Sequence, residues 1–187
     1  MLLLVRHAQT AANAQGHVLG RADPPLSATG RTQAVALAEL LPAADAVVCS
    51  PLRRAQETAA ALGGPVRLDP RWIERDYGDF DDRPPDAETA EVWRRWRTDD
   101  TFTPPGVEPD HEVAARVREA CAELAADAMS ATVVVVTHVS PIKAAIEWAL
   151  GSTRPLEWRL FVEDASVSRI DIGADGPVVR WFNRWGH

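Results

Sequence analysis

Short apolar runs alternate along the chain with longer amphipathic segments. The clearest runs lie at residues 2–5, 45–49 and 131–137 and contain mostly leucine, valine and alanine. Continuous apolar runs of this length are typical of strands buried on both faces of a parallel sheet. Segments 26–41 and 110–129 instead carry apolar residues at helical spacing. This alternation predicts an α/β fold with a mostly parallel central sheet.

Turn and cap residues predict the remaining elements. The glycines and prolines of residues 11–25 predict a loop. Ser50 and Pro51 predict the start of a helix, because serine is favoured at the N-cap and proline at the first helical position. The other predicted elements are helices at residues 87–97 and 140–150, and strands at residues 66–68, 158–162, 166–172 and 178–182. A turn at residues 173–177 joins the last two strands, with at least one antiparallel member.

Composition and charge narrow the range of partners. The 187 residues, of which 46% are hydrophobic, fit a single domain spanning 1–187. A net charge of -7 argues against a nucleic acid or an anionic membrane as partner. Cys49 and Cys121 lack metal-ligand spacing, and no apolar run is long enough for a signal peptide or a membrane span. We therefore expect a cytoplasmic protein.

Histidines and arginines follow three of the predicted strands directly. Arg6 and His7 end the first strand, Arg54 lies in the first turn of the helix after the second, and His138 ends the valine run. Ligands of open α/β sheets bind at the carboxyl ends of the strands. There an imidazole held in one tautomer can attack a phosphoryl group, and a guanidinium can bind its oxygens. These strand ends therefore predict a phosphate site.

Each of these residues also has a structural interpretation. Arg6 with His7 could form a strand-end ion pair, and the helix arginines could pair with Glu57 one turn later. Asn13 could turn its amide toward the same anion or act as an ordinary turn or cap residue. The residues taken singly leave these alternatives open.

The acidic, aromatic segment at residues 72–82 suits neither a strand nor a helix and predicts a functional loop. A carboxylic acid there could protonate a leaving alkoxide. Glu74 is flanked by Trp72 and Ile73 and is expected to be partly desolvated. The carboxylates expected to be solvated are Asp76, Asp79, Asp81 and Asp82.

Two tryptophans lie on one side of the helix predicted at residues 87–97. Trp93 and Trp96 could form a substrate lid, or they could pack into the core. The segment at about 80–109 is therefore a candidate lid insertion over the site.

Together these motifs resemble the histidine phosphatase superfamily, also called the phosphoglycerate mutase-like family. The matching residues are Arg6-His7-Ala8-Gln9-Thr10 with Asn13, Pro25-Leu26-Ser27 with Gly30, Gln33-Ala34, Ser50-Pro51-Leu52-Arg53-Arg54-Ala55-Gln56-Glu57-Thr58-Ala59, Glu74 with Gly78, and Val136-Thr137-His138-Val139-Ser140-Pro141-Ile142. The resemblance covers nearly the whole chain. It implies a three-layer α/β/α sandwich with a mostly parallel sheet and a small helical lid insertion.

The resemblance also implies a mechanism and roles for residues. His7 would attack phosphorus to give a phosphohistidine, and Glu74 would protonate the leaving oxygen and then activate water. His138 belongs to the catalytic set as well. The residues implied to bind phosphate oxygens are Arg6, Asn13, Arg54 and His138. Candidate residues of the substrate pocket are Gly20, Arg21, Tyr77, Trp93 and Val139. No metal or other cofactor is implied.

Departures from the family pattern concern the pocket rather than the catalytic set. Ala8 and Val139 stand where the family usually has glycine, and residues 80–82 and 105–109 also differ, so substrate identity stays open. The short stretch between Glu74 and His138 resembles the phosphatase branch. We expect a metal-independent phosphomonoesterase acting on a small phosphorylated metabolite. A phosphoglycerate mutase is the alternative, a catalytically silent phospho-ligand-binding module is less favoured, and a homodimer is a candidate assembly.

Overall fold

The computed structural model describes residues 1–99 and 101–185. Its elements in chain order are β1 (Leu2–Arg6), α1 (Ala11–Ala14), α2 (Ala28–Leu40), β2 (Ala46–Cys49), α3 (Arg53–Ala61), β3 (Val66–Leu68), α4 (Ala90–Thr98), α5 (Asp110–Ala128), β4 (Val133–Thr137), α6 (Val139–Leu150), β5 (Val167–Gly173) and β6 (Gly176–Arg184). Two short 3-10 helices lie at Pro70–Trp72 and Gly78–Phe80.

One six-stranded sheet organises the chain, in the order β3-β2-β4-β1-β5-β6. Strands β1 to β4 are mutually parallel where they pair, whereas β5 runs antiparallel to β1, and β6 antiparallel to β5. The central pair is in register from Leu2 opposite Val133 to Arg6 opposite Thr137. The carboxyl ends of β1 and β4 therefore lie side by side, which brings His7 next to His138.

Helices cover both faces of the sheet because successive side chains of a strand point to opposite sides. Leu2 and Leu4 of β1 join a core with the apolar faces of α5 and α6. Leu3 and Val5 of the same strand join a second core with residues of α2 and α3. The β4 valines divide in the same way, so the predicted three-layer α/β/α architecture is confirmed.

Two local predictions at the first strand end and the sheet edge are wrong. The predicted loop at residues 11–25 begins with helix α1, which a reciprocal capping box between Thr10 and Asn13 stabilises. Residues 158–162 do not form a strand. Residues Val167 to Ile170 of β5 already pair with β1, so that edge is not available to the 158–162 segment.

The start of α3 also differs from the prediction. The helix begins at Arg53 rather than at Pro51, and the Ser50 hydroxyl does not cap it. The carboxylate of Asp23, in the preceding loop, instead accepts a 2.6 Å hydrogen bond from the Arg53 backbone N–H. This contact places a negative charge at the helix N-terminus, where the helix dipole favours it.

Residues 80–109 include α4, which packs through its tryptophans. Trp93 and Trp96 are 7% and 4% exposed and form a small apolar cluster with Tyr77 and Val107. The two indoles stack with centroids 5.5 Å apart. Packing is therefore the observed role of both tryptophans. No helix in the described parts of the chain has the length and apolarity to cross a bilayer.

Candidate active site

His7 lies buried just after β1, and its ring is held in one tautomer. The Arg54 Nε–H donates to His7 Nε2 over 3.1 Å, and His7 Nδ1 lies 2.8 Å from the Ala8 carbonyl oxygen. A guanidinium can only donate, so the lone pair of Nε2 must accept this hydrogen bond. Nδ1 then carries the proton and donates it to the carbonyl. Nε2 is thus an unprotonated nitrogen facing a cation.

Arg54 is fully buried and uses its donors in three directions. Besides the contact to His7, Nη1 donates to the Ala22 carbonyl at 2.7 Å and Nη2 to the Gly20 carbonyl at 2.8 Å. Burial lowers the pKa of Arg54 to about 10, and the nearby carboxylates of Glu74 and Asp23 partly oppose that change. The guanidinium is therefore a fixed cation at neutral pH.

Arg53, its neighbour, points away from the site. Its Nε donates to the Glu57 carboxylate at 2.6 Å on the exposed face of α3. The ion pair with Glu57 that the sequence left open therefore involves Arg53 and not Arg54.

His138 faces His7 from the end of β4, with ring centroids 5.0 Å apart. Its Nε2 lies 2.7 Å from the Ser50 hydroxyl, which also accepts a hydrogen bond from the Leu52 N–H. His138 Nδ1 is buried without a hydrogen-bond partner among the residues that the structure describes. Nδ1 is thus the ring nitrogen left for a substrate oxygen.

Both histidines are held neutral. Burial lowers the pKa of His7 well below its ordinary value, and the charges of Arg54 and Arg6 lower it further. The pKa of His138 is also lowered, first by burial and then by Arg54. A neutral imidazole keeps its lone pair at physiological pH, as a nucleophile requires.

Arg6 reaches the site from the last residue of β1. Its Nη1 donates to the Val162 carbonyl at 2.6 Å, and Nη2 pairs with Asp164 at 2.8 Å. Nε is buried and makes no hydrogen bond to any described residue. Arg6 is thus anchored through its terminal nitrogens, and Nε–H is left for a ligand. The strand-end ion pair that the sequence left open is therefore formed by Arg6, with Asp164 as its partner.

Asn13 acts as a cap residue through its side-chain oxygen. Asn13 Oδ1 accepts hydrogen bonds from the Thr10 backbone N–H at 3.1 Å and the Thr10 hydroxyl at 2.8 Å. The amide oxygen therefore serves local structure, and the Asn13 NH₂ group is the part that could donate to an anion.

Glu74 is buried, with 3% of its surface exposed, against the first turn of α6. Its carboxylate accepts backbone hydrogen bonds from Arg75 at 2.7 Å, Val139 at 2.9 Å and Ser140 at 3.1 Å. The Ser140 N–H also lies 3.4 Å from the second carboxylate oxygen. A carboxylate has about four lone-pair positions, so this longest contact marks the position where a transferred proton fits most easily. Glu74 thus lies beside the residues that directly follow His138, although it is distant from them in sequence.

The pocket candidates divide into two groups. Gly20 contacts Tyr77 closely, since a Cβ at residue 20 would lie 2.9 Å from the ring. The Tyr77 hydroxyl lies 3.3 Å from the Ser140 hydroxyl, beside Val139 and the Glu74 contact. Arg21, by contrast, is 38% exposed and pairs with Glu108 at 3.3 Å.

Trp93, the remaining pocket candidate, packs against other aromatic rings. Its ring is buried between Trp96 and Phe80, with Phe80 5.4 Å away by ring centroids. Trp93 is therefore packed within the aromatic cluster, and its place in the substrate pocket stays a prediction.

Sequence reasoning missed three polar side chains around the site. Ser50 contacts His138 instead of capping a helix. The Thr58 hydroxyl accepts from the Ala8 N–H and donates to the Arg54 carbonyl. Asp81, expected to be solvated, accepts three backbone hydrogen bonds from residues 20–22. Ser50 and Thr58 belong to the quoted motif around Arg54, but only the fold gives their partners.

The geometry suits phosphoryl transfer to nitrogen. It combines a neutral imidazole with a fixed tautomer, two anchored guanidinium groups, a second neutral imidazole and a buried carboxyl group. Oriented cations and donors are what phosphoryl transfer needs most. In the described residues, no group of three or more His, Cys, Asp or Glu side chains is placed to hold a metal ion.

Comparisons with known proteins identify the family of this chain. The sequence model of the histidine phosphatase superfamily, branch 1, matches residues 2–184. A bifunctional protein of Mycobacterium tuberculosis is 38% identical over 198 residues, covering 100% of this chain and 54% of that protein. The chain therefore spans about half the length of the first curated relatives that it matches.

Two further relatives match along most of their length. A glucosyl-3-phosphoglycerate phosphatase of Mycobacterium tuberculosis is 35% identical, over 96% of this chain and 91% of that protein. The crystal structure of the α-ribazole phosphatase of Shigella flexneri superposes with a TM-score of 0.85 and 30% identity, covering 98% of this chain and 96% of that one. On the strength of motif order, fold and these matches, the chain belongs to the histidine phosphatase superfamily.

Proposed function

We propose that this chain is a phosphomonoesterase that hydrolyses a small phosphorylated metabolite through a phosphohistidine on His7. The observation that carries the proposal is the pair of contacts on the His7 ring. Nδ1 is anchored on the Ala8 carbonyl, and Nε2 faces the Arg54 guanidinium. In the proposed complex the guanidinium turns its donors to the phosphoryl oxygens, which releases the Nε2 lone pair for attack on phosphorus.

In the first proposed step His7 Nε2 attacks phosphorus. The N–P bond forms, the bond from phosphorus to the ester oxygen breaks, and the leaving oxygen takes a proton from Glu74. In the second step water attacks phosphorus, gives its proton to Glu74, and breaks the N–P bond to release inorganic phosphate. The Ala8 carbonyl stabilises the positive charge that the ring gains in the intermediate, because it accepts from Nδ1–H.

Arginine, histidine and amide donors hold the phosphoryl oxygens in this proposal. Arg54 and Arg6 supply the charge, while His138 Nδ1 and the Asn13 amide supply directed donors. The transferring group carries charge on its equatorial oxygens, which these donors stabilise. We therefore propose that turnover needs no metal or other cofactor.

The substrate class rests on the relatives and on the segment at 80–109. The two phosphatases described above are each named after a small metabolite, glucosyl-3-phosphoglycerate and α-ribazole phosphate. We propose that the segment at 80–109 acts as a lid that favours a metabolite over a phosphoprotein, and that residues 1–187 act as a single domain. A cytoplasmic location and a homodimer stay predictions.

The test is hydrolysis of p-nitrophenyl phosphate with EDTA present, run on the wild type and on His7→Ala. We expect metal-independent turnover that is lost in His7→Ala, and thermal melting checks that this variant keeps the fold, since the ring is buried. His111→Ala is the matched control, because His111 is exposed on α5. Turnover that EDTA abolishes, or that survives in His7→Ala, would refute the proposed mechanism.

Phosphoglycerate mutase activity is the alternative outcome. A mutase must keep the phosphohistidine from water, so it would interconvert phosphoglycerates while hydrolysing p-nitrophenyl phosphate poorly. A protein that does neither but binds inorganic phosphate would be a binding module. A panel of sugar phosphates, phosphoglycerates and ribazole phosphate would follow a positive first result.

A further inference from the structure

Asp81 makes an unusual set of contacts with the loop at residues 20–22. Its carboxylate accepts hydrogen bonds from three consecutive backbone N–H groups: Gly20 at 2.6 Å, Arg21 at 2.7 Å and Ala22 at 2.7 Å. Hydrogen bonds to an ionised acceptor are about twice as strong as neutral ones. The Asp81 side chain therefore holds three consecutive N–H groups of this loop in place.

Arg54 holds the same loop by its carbonyl groups. The guanidinium donates to the carbonyls of Gly20 and Ala22, and its third direction, Nε–H, points at His7 Nε2. The two loop carbonyls thus set the plane of the guanidinium. We infer that Asp81 is a positioning residue for Arg54, acting through the loop to aim the guanidinium at the phosphoryl group on His7. The inference rests on the proposed function.

The neighbourhood of Asp81 supports a positioning role. Asp81 directly follows the 3-10 helix Gly78–Phe80. The next two residues, Asp82 and Arg83, form backbone hydrogen bonds with Val18, which lies just before the loop. The Asp82 N–H donates to the Val18 carbonyl at 2.8 Å, and the Val18 N–H donates to the Arg83 carbonyl at 2.9 Å. The start of the 80–109 segment and the loop are therefore joined as one unit.

The charge of Asp81 also acts on the arginine. Asp81 is one of the carboxylates that oppose the lowering of the pKa of Arg54 by burial. An asparagine at residue 81 would keep one acceptor oxygen but would turn an NH₂ group toward a backbone N–H. Position 81 thus needs an acceptor on both branches of the side chain.

The experiment is a double-mutant cycle read by binding of orthovanadate, which mimics the phosphoryl group in transfer. The variants are Asp81→Ala, Arg54→Ala and the double mutant, with calorimetric dissociation constants at one pH. Asp79→Ala is the matched control, because Asp79 is exposed two residues away. Asp81→Asn is the milder variant if Asp81→Ala does not fold, and thermal melting reports folding for each.

We expect Asp81→Ala to weaken vanadate binding by about tenfold to a hundredfold, the size of effect that misplacing a catalytic group by about 1 Å has. In the Arg54→Ala background the same change should have almost no effect, because no guanidinium is left to aim. Turnover of p-nitrophenyl phosphate should lose kcat with little change in KM.

Two results would overturn the inference. One is an Asp81→Ala effect that is equal in both backgrounds, which a purely structural role would give. The other is an Asp81→Ala protein that folds and binds vanadate like Asp79→Ala. Failure of the proposed function is distinguishable, since the wild type would then bind vanadate without hydrolysing p-nitrophenyl phosphate.

Discussion

The two neutral, buried histidines should make the protein less stable as the solution becomes acidic. Both have a pKa in the folded state well below the ordinary value of 6.5. Below pH 6.5 the unfolded chain therefore binds a proton at each of these positions, while the folded chain does not. Their contribution is fully present above pH 6.5 and is lost as the pH falls toward the folded-state values.

The size of the effect follows from proton counting. One extra proton on the unfolded state lowers the free energy of unfolding by about 1.4 kcal/mol for each unit by which the pH falls. His7 and His138 together should lower it by at most about 3 kcal/mol between about pH 6.5 and pH 5, before most carboxylates titrate. His7→Gln keeps a polar side chain of similar size and should remove about half of that slope.

Urea unfolding followed by tryptophan fluorescence at several pH values in this window measures the slope. His111→Gln, at an exposed position on α5, is the control and should keep the wild-type slope. A wild type whose stability is the same at both ends of the window would refute the argument. So would a His7→Gln protein with an undiminished slope, because His7 would then not be a buried neutral base.

Three further substitutions test separate parts of the site. Arg54→Lys should lower kcat about a thousandfold, since a lysine loses the fork that binds the phosphoryl group and two loop carbonyls together; steady-state kinetics measures this. Glu74→Gln should slow alkyl phosphates by about 10²- to 10⁴-fold and p-nitrophenyl phosphate much less, because nitrophenolate leaves without a proton; a leaving-group series checks it. Gly30→Ala should destabilise the fold by about 1 to 3 kcal/mol in denaturant titration, because its Cβ would lie 2.0 Å from the Gln9 carbonyl oxygen. An Arg54→Lys enzyme with normal kcat, an equal Glu74→Gln effect on all esters, or a fully stable Gly30→Ala protein would contradict the corresponding step.

Strand ends were the most predictable part of the molecule. The apolar runs before His7 and His138 are continuous, and such runs in a parallel sheet finish at one edge. The sequence therefore predicted both the sheet and the meeting of the two histidines. Their register, with Arg6 opposite Thr137, required the structure.

Contacts between distant polar side chains were the least predictable part. Ser50 reads locally as a helix cap, and Asp81 reads as a solvated carboxylate. Their partners lie 88 and about 60 residues away in sequence and are set by the packing of loops. The neighbours of Trp93 were unpredictable for a related reason, since an aromatic side chain on a helix does not reveal which residues will cover it.

Direct detection of the phosphoenzyme tests the central claim most directly. The enzyme would be mixed with p-nitrophenyl phosphate, whose good leaving group makes phosphorylation fast relative to hydrolysis, and quenched in alkali, where phosphohistidine is stable. Mass spectrometry then locates the phosphoryl group, and NMR identifies the ring nitrogen. We predict a phosphoryl group on Nε2 of His7 that is absent in His7→Gln. A phosphoryl group on His138 or any other residue, or turnover that persists in His7→Gln, would contradict the account.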